Sequence, residues 1–285
     1  MRVPSVRRPA VAGTWYPGTA ETLGRAVGTY LAGVERQPVG EVVAVIAPHA
    51  GLMYSGPVAA HAYRAVEARD YDVAILVGPS HFVGFDGVSV YEQGAFDTPL
   101  GPVSIAADWA DAIRGASPVV YPYPPAHVRE HSLEMQLPFL RRVLPAVAIV
   151  PLVMGYQTRE TILELARALA AALKGTRVLL IASTDLSHYF DARTACVLDG
   201  KVIDCVKRLD PEGLLSEFEK YPEDERGRYV ACGGGPAISV MCAARALGAT
   251  EAVALRYADS GDVSGDKQAV VGYLAAAMGR GLTAP

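Results

Sequence analysis

The chain has 285 residues, 51% of them hydrophobic and 20% charged, and its 26 Lys and Arg against 30 Asp and Glu leave a formal charge of −4. This composition excludes intrinsic disorder and supplies enough apolar side chains for a sizeable core without disulfide staples. It also argues against a nucleic-acid binder, because no basic cluster exceeds the pairs Arg7-Arg8 and Arg141-Arg142.

Apolar runs such as 73–77 and 178–181 are strand-sized, far below the roughly 20 residues of a membrane-spanning helix. Met1 to Pro17 carries three arginines and three prolines and lacks the apolar stretch of a signal peptide. Cys196, Cys205, Cys232 and Cys242 fit neither a paired zinc-ligand spacing nor a disulfide scaffold. With no export signal, they read as reduced thiols of a cytoplasmic protein.

In chain order, the first predicted strand is Val42 to Ala47, followed by Pro48-His49. A helical pattern over Pro57 to Ala68 places His61 inside a helix, as a structural residue. The run Val73 to Val77 repeats the strand grammar and leads into Gly78-Pro79-Ser80-His81. Turn signals at Gly94, Asp97-Thr98-Pro99 and Gly101-Pro102 make Val88 to Ile105 a β-hairpin excursion. Ser132 to Val143 reads as a helix capped by Ser132, with Pro138 still in its tolerated first turns. The strand Ala148 to Val153 precedes a helix from Thr158 to Leu173, with Thr158 as N-cap and Gly175 just past its end. A third apolar run, Val178 to Ala182, carries Ser183-Thr184-Asp185-Leu186-Ser187-His188. Helices over Ala192 to Leu209 and Gly235 to Leu247 and strands over Ala252 to Tyr257 and Val270 to Leu274 complete the pattern. Runs apolar at every position mark strands covered on both faces, and no repeat or linker splits the chain. The expectation is one α/β domain spanning residues 1–285.

Ligands of open α/β sheets bind beyond the carboxyl ends of the strands. His49, His81 and His188 each follow a separate strand, so all three are expected to converge on that edge. One such histidine could as well cap a loop; three in the same topological place favour a common pocket. Cys232, before Gly233-Gly234-Gly235-Pro236, stands near a helix N-terminus, whose partial positive charge favours a thiolate. Two chemistries can be written with these residues. In one, imidazoles and a thiolate hold a transition metal with open positions. In the other, Cys232 is a nucleophile, His188 its base and Asp185 the orienting group, although Asp185 and His188 are too near in sequence for a bond between them to be assumed. The metal reading is taken first. His131 and Glu134, three residues apart, are expected to line or brace the pocket without binding metal.

The segments Arg8 to Pro17, Ala47-Pro48-His49-Ala50-Gly51 with Tyr54-Ser55-Gly56, Gly78 to His81, Glu130 to Phe139, Ser183 to Tyr189 and Cys232 to Pro236 resemble the MEMO family. Tyr257 to Val263 is similar to its prokaryotic branch, the AmmeMemoRadiSam system protein B group. The resemblance implies a three-layer α/β/α sandwich around a mostly parallel or mixed sheet, like that of the class III extradiol dioxygenases that use non-haem iron. It also implies that His49, His81 and Cys232 occupy metal-site positions, with His188 the third histidine of the pocket. In those dioxygenases a carboxylate stands at the place of Cys232. The expected cofactor is one transition metal, iron before copper or zinc.

The leading expectation is a metal-dependent redox protein, with His188 as fourth ligand or proton acceptor. Tyr16, Tyr54 and Tyr189 are expected beside the histidines, orienting a small-molecule or peptide ligand. Family association implies a radical SAM pathway partner. The rival expectation is a non-catalytic binding module that recognises a peptide or partner in the same pocket, as described for eukaryotic relatives. Gly234-Gly235 replace bulkier residues of those relatives, which argues against peptide binding here.

Overall fold

The computed structural model describes residues 6–35 and 40–282. Twelve strands are present among them: β1 Val6–Arg7, β2 Glu41–Ala47, β3 Val73–Pro79, β4 Val88–Val90, β5 Ala95–Phe96, β6 Val103–Ser104, β7 Val120–Tyr121, β8 Ile149–Met154, β9 Val178–Ser183, β10 His188–Phe190, β11 Glu251–Asp259 and β12 Val270–Arg280. Nine form one sheet in the order β10-β12-β2-β9-β3-β8-β4-β7, with β11 also paired to β12. Its centre, β2-β9-β3-β8, is parallel, whereas β12 and β4 join it antiparallel. The sheet is therefore mixed.

The apolar runs explain why the sheet lies inside. Along β3, Val73, Ile75 and Val77 enter one core while Ala74 and Leu76 enter the other, and along β9 Leu180 and Ala182 alternate with Leu179 and Ile181 in the same way. A strand with side chains of period two can be apolar at every position only if both faces are covered. Helices Ala20–Ala32, Leu52–Val66 and Leu137–Val143 cover one face; Ala107–Ala116, Arg159–Ala172, Ala192–Lys207, Pro211–Phe218 and Gly234–Ala246 cover the other. The result is a mixed α/β fold of three layers. Among the described residues, no helix is long and apolar enough to cross a membrane.

Local chemistry sets several helix starts. Thr158 Oγ1 accepts from the Thr161 amide at 3.2 Å, as its sequence context predicts, and Gly175 turns the chain beyond that helix with φ +80°. Asp191 and Asp210 cap the two helices that follow β10.

Three expectations need correction. The first helix after β2 begins at Leu52 instead of Pro57, directly on the Gly51 turn, and carries Pro57 inside it. The Val88–Ile105 stretch is not one hairpin: Val88–Val90 belongs to the main sheet, and only β5 and β6 pair antiparallel, in a small sheet with β1. The Ser132–Val143 helix is split into a 3-10 turn, Glu134–Gln136, and the helix Leu137–Val143. Ser132 does not cap it, because its hydroxyl donates instead to the Pro79 carbonyl at 3.0 Å.

The N-terminal segment is clasped to this turn. Arg7 Nη1 pairs with Glu134 Oε2 at 2.7 Å, and Glu134 also accepts from the amides of Ala10 and Val11 and from the Tyr16 hydroxyl at 2.7 Å. Both charged side chains are almost wholly buried. Removing one partner of such a pair leaves the other unpaired in low dielectric. Glu134→Ala is therefore expected to destabilise the fold by about 3–5 kcal/mol in urea denaturation. A loss below about 1 kcal/mol, the value of a surface pair, would contradict this role.

Candidate metal and thiolate site

The central strands end level at their carboxyl edge. Ala47 lies opposite Ser183, and Pro79 opposite Met154, so the loops that leave these residues emerge side by side. Between them is a cavity of about 430 Å³ faced by His49, His81, His131, Asp185, His188 and Cys232. Trp15, Tyr189 and Arg228 form its more open walls. The three sequence-predicted histidines, the aspartate and the cysteine thus come together.

His49 is fixed by a network that also fixes its proton. The Ser183 hydroxyl has one hydrogen and donates it to the Ser132 carbonyl at 2.6 Å, since a carbonyl can only accept. Its oxygen then accepts from Gln136 Nε2 at 2.7 Å and from His49 Nδ1 at 2.9 Å. Gln136 cannot be turned the other way, because its Nε2 also donates to the Pro48 carbonyl while its Oε1 accepts from the Tyr63 hydroxyl. A neutral His49 consequently carries its proton on Nδ1 and accepts from the Cys232 thiol at Nε2, 3.2 Å from Sγ; beside a thiolate the same contact requires a proton on Nε2 as well.

His81 is oriented by a carboxylate. Its Nδ1 donates to Glu130 Oε1 at 2.9 Å, and its amide donates to Glu130 Oε2 at 2.6 Å. Glu130 Oε1 accepts further from the amides of His131 and Ser132. Burial alone would raise the Glu130 pKa, yet the bonds and charge of His81 hold it down at about 2. The Cys232 sulfur, also at this cavity, favours the charged form of His81. Histidines that ligate metals are commonly held in this way, with the outer nitrogen bonded to a carboxylate or hydroxyl.

Cys232 closes the group. The amide of Asp185 donates to its sulfur at 3.4 Å, and the Cys232 amide donates to the Asp185 carbonyl at 3.3 Å. Burial would push the thiol up, but the imidazoles of His49 and His81 reverse this and lower it to about 6. Burial likewise works against charge on His81, and the Cys232 sulfur with Glu130 overcomes it, raising that pKa to about 10. At neutral pH the metal-free site is a thiolate beside an imidazolium.

Among the described residues, two sets of side chains could hold an ion, their donor atoms lying within 4.8 Å of one another: His49, His81 and His131, and His49, Asp185 and Cys232. His131 was expected only to line or brace the cavity, yet it stacks on His81 with centroids 4.4 Å apart and belongs to the first set. Burial beside His49 and His81 lowers its pKa to about 3, so it stands neutral. His188 faces the cavity but belongs to neither set, and its buried Nδ1 has no hydrogen-bond partner in the protein. A β-bulge explains its placement. Tyr189 adopts φ +64° between His188 and Phe190, so two neighbours that would point to opposite faces of a regular strand line the same cavity.

The nucleophile reading loses its expected partners. Asp185 Oδ1 accepts from the backbone amides of His49 and Ala50, at 2.8 and 3.3 Å, and the imidazole hydrogen-bonded to the sulfur at 3.2 Å is that of His49, not His188. Glu134 and Tyr16, expected at the pocket, bond each other in the N-terminal clasp, while Tyr16 and Tyr54 border a neighbouring groove. Glu130, Gln136 and Ser183, which orient the two histidines, were not singled out from the sequence. Glu130 is 49 positions from His81, and no local spacing could join them.

Alkylation of Cys232 in metal-free protein, followed peptide by peptide by mass spectrometry, is expected to accelerate with pH through a midpoint near 6, because the thiolate is the nucleophile. Replacing His49 by Ala removes a stabilising imidazole and is expected to move the midpoint upward. An unchanged midpoint in that variant would contradict the electrostatic origin.

A family model described as Memo-like protein matches residues 7–277. A MEMO1 family protein of Methanothermobacter thermautotrophicus is 39% identical over 282 residues, covering 94% of this chain and 98% of its own length. MEMO1 family proteins of Methanosarcina mazei and Aquifex aeolicus are 38% and 36% identical, covering 95% and 94% of this chain and 98% and 97% of their own lengths. The likeness extends through every element that builds the cavity, and the chain belongs to the Memo-like protein family.

Proposed function

We propose that the chain is a metal-dependent redox protein whose ion is held by His49 Nε2, the member common to both sets, with His81 from one set and Cys232 Sγ from the other. The observation that carries this reading is the pair of outer-side locks: Ser183 on His49 Nδ1 and Glu130 on His81 Nδ1, each leaving the other nitrogen for the sulfur-lined side of the cavity. The donor set suits the group. Two imidazoles and a soft thiolate favour a first-row transition metal, iron first and copper or zinc as alternatives, over magnesium or calcium, which take oxygen ligands. Iron or copper bound there would supply one-electron chemistry.

The protein's own residues do the rest. Trp15 packs at a tilt against His131, ring centroids 4.2 Å apart, and, with Tyr189, walls the cavity, excluding water from one side of a bound small molecule. His188, half-buried and facing the cavity, serves as proton acceptor for that molecule. Arg228 offers a cation at the same cavity for an acidic group of the substrate.

Anaerobic purification followed by elemental analysis is expected to find roughly one transition-metal ion per chain, with oxygen uptake by the reduced, loaded protein. Cys232→Ser is expected to weaken the ion's binding by about 10- to 100-fold or more with the fold intact, since a hydroxyl is a poor ligand for soft metals. In loaded wild-type protein the thiol should resist alkylation until a chelator is added. Equal, rapid labelling with and without chelator would refute the reading and promote a thiolate nucleophile with His49 as its base.

A further inference from the structure

Cys232 opens a segment of three successive glycines, Gly233 to Gly235, the backbone with the greatest conformational freedom available to a chain. Gly234 and Gly235 lie in the first turn of the helix Gly234–Ala246 and the Asp185 backbone bonds the sulfur and the amide of Cys232, but no side chain of the segment itself fixes this helix start. The glycines are required by close approach: a Cβ on Gly233 would lie 2.5 Å from the Ser183 carbonyl oxygen, and one on Gly235 would lie 2.9 Å from both Gln157 Oε1 and Met154 Sδ. Something else must therefore immobilise the segment.

Two side chains grip it from opposite sides. Thr184, beside Asp185, accepts from the Gly233 amide at 2.8 Å. Gln157 comes from the end of β8, on a different part of the sheet. Its Nε2 donates to the Cys232 carbonyl at 2.7 Å and its Oε1 accepts from the Gly235 amide at 2.7 Å. The helix Gly234–Ala246 has no side-chain cap of its own, so Gln157 also supplies one from outside. Gln157 is itself held firmly, between Tyr156, whose amide donates to the Phe85 carbonyl, and Thr158, the N-cap of the helix Arg159–Ala172.

We infer that Gln157 is a positioning residue for Cys232: a single amide spans the glycine segment and sets the sulfur against His49 Nε2. Its consequence for metal binding rests on the reading of Cys232 as a ligand; the grip itself rests on the two hydrogen bonds alone. Loss of the amide is expected to free the Cys232 carbonyl and let the sulfur leave the imidazole, although Gln157 touches neither the sulfur nor the cavity's histidines in these contacts.

The test uses the full chain and Co²⁺ as probe. Wild-type protein, Gln157→Met and Gln157→Glu are compared by sulfur-to-cobalt charge-transfer absorption, by Co²⁺ affinity against a competing chelator, and by hydrogen exchange of the Gly235 amide. Gln157→Met, which keeps the length and loses both bonds, is expected to weaken Co²⁺ about 10- to 100-fold, diminish the band and speed Gly235 exchange about tenfold or more. Gln157→Glu keeps the acceptor and loses the donor, so it should retain Gly235 protection yet still diminish the band. A full band at wild-type affinity in both variants would overturn the positioning role, as would failure of both to fold, which would make Gln157 a residue of the fold alone. Wild-type protein that binds Co²⁺ with no sulfur band would sink the ligand reading separately, and the grip would then stand or fall on Gly235 exchange: slow in Gln157→Met, it is overturned; fast, it stands.

Discussion

The site depends on where one hydroxyl hydrogen goes. Ser183 gives it to the Ser132 carbonyl, and from that bond the remaining polarity follows: Ser183 must accept from His49 Nδ1, and His49 must offer Nε2 to the cavity. Gln136 and Tyr63 make the arrangement one-way, since neither the amide nor the phenol can be reversed without facing donor to donor or acceptor to acceptor. Tyr63 and Gln136 are wholly buried. A mismatched polar pair at that depth would cost about 1–3 kcal/mol, enough to hold a single tautomer.

This network joins the core to the chemistry. The turn that carries Ser132 also carries Glu130, which orients His81, and Glu134, which clasps the N-terminal segment through Arg7. That segment brings Trp15 against His131. The walls of the cavity, the orientation of two histidines and the anchoring of the chain's first described strand therefore share one short stretch, residues 130–136. The level ends of β2, β9, β3 and β8 provide the floor on which these parts meet.

Much of the framework was legible because strands buried on both faces write themselves as unbroken apolar runs, and His49, His81 and His188 follow such runs at one edge. Thr158 announced its helix in the same local terms. What escaped were relations across distance. Glu130 reaches His81 and Gln157 reaches Cys232 over 49 and 75 positions, and no periodicity records such pairs. His131 read as a brace because its neighbours suggested a helix start; the actual turn aims it at His49 and His81. Val88–Val90 read as half of a hairpin because three apolar residues do not reveal which sheet they join.

The most direct test is the protonation of His49 itself. Nitrogen-15 resonances of its imidazole in metal-free Cys232→Ser protein, where no thiolate draws a proton to Nε2, distinguish the two tautomers at a pH where the ring is neutral. The proton is predicted on Nδ1, bonded to Ser183, with Nε2 bare toward the cavity, and adding Ser183→Ala should abolish that preference. A neutral ring with its proton on Nε2 in that variant would leave no lone pair for a metal at that position and would contradict the account.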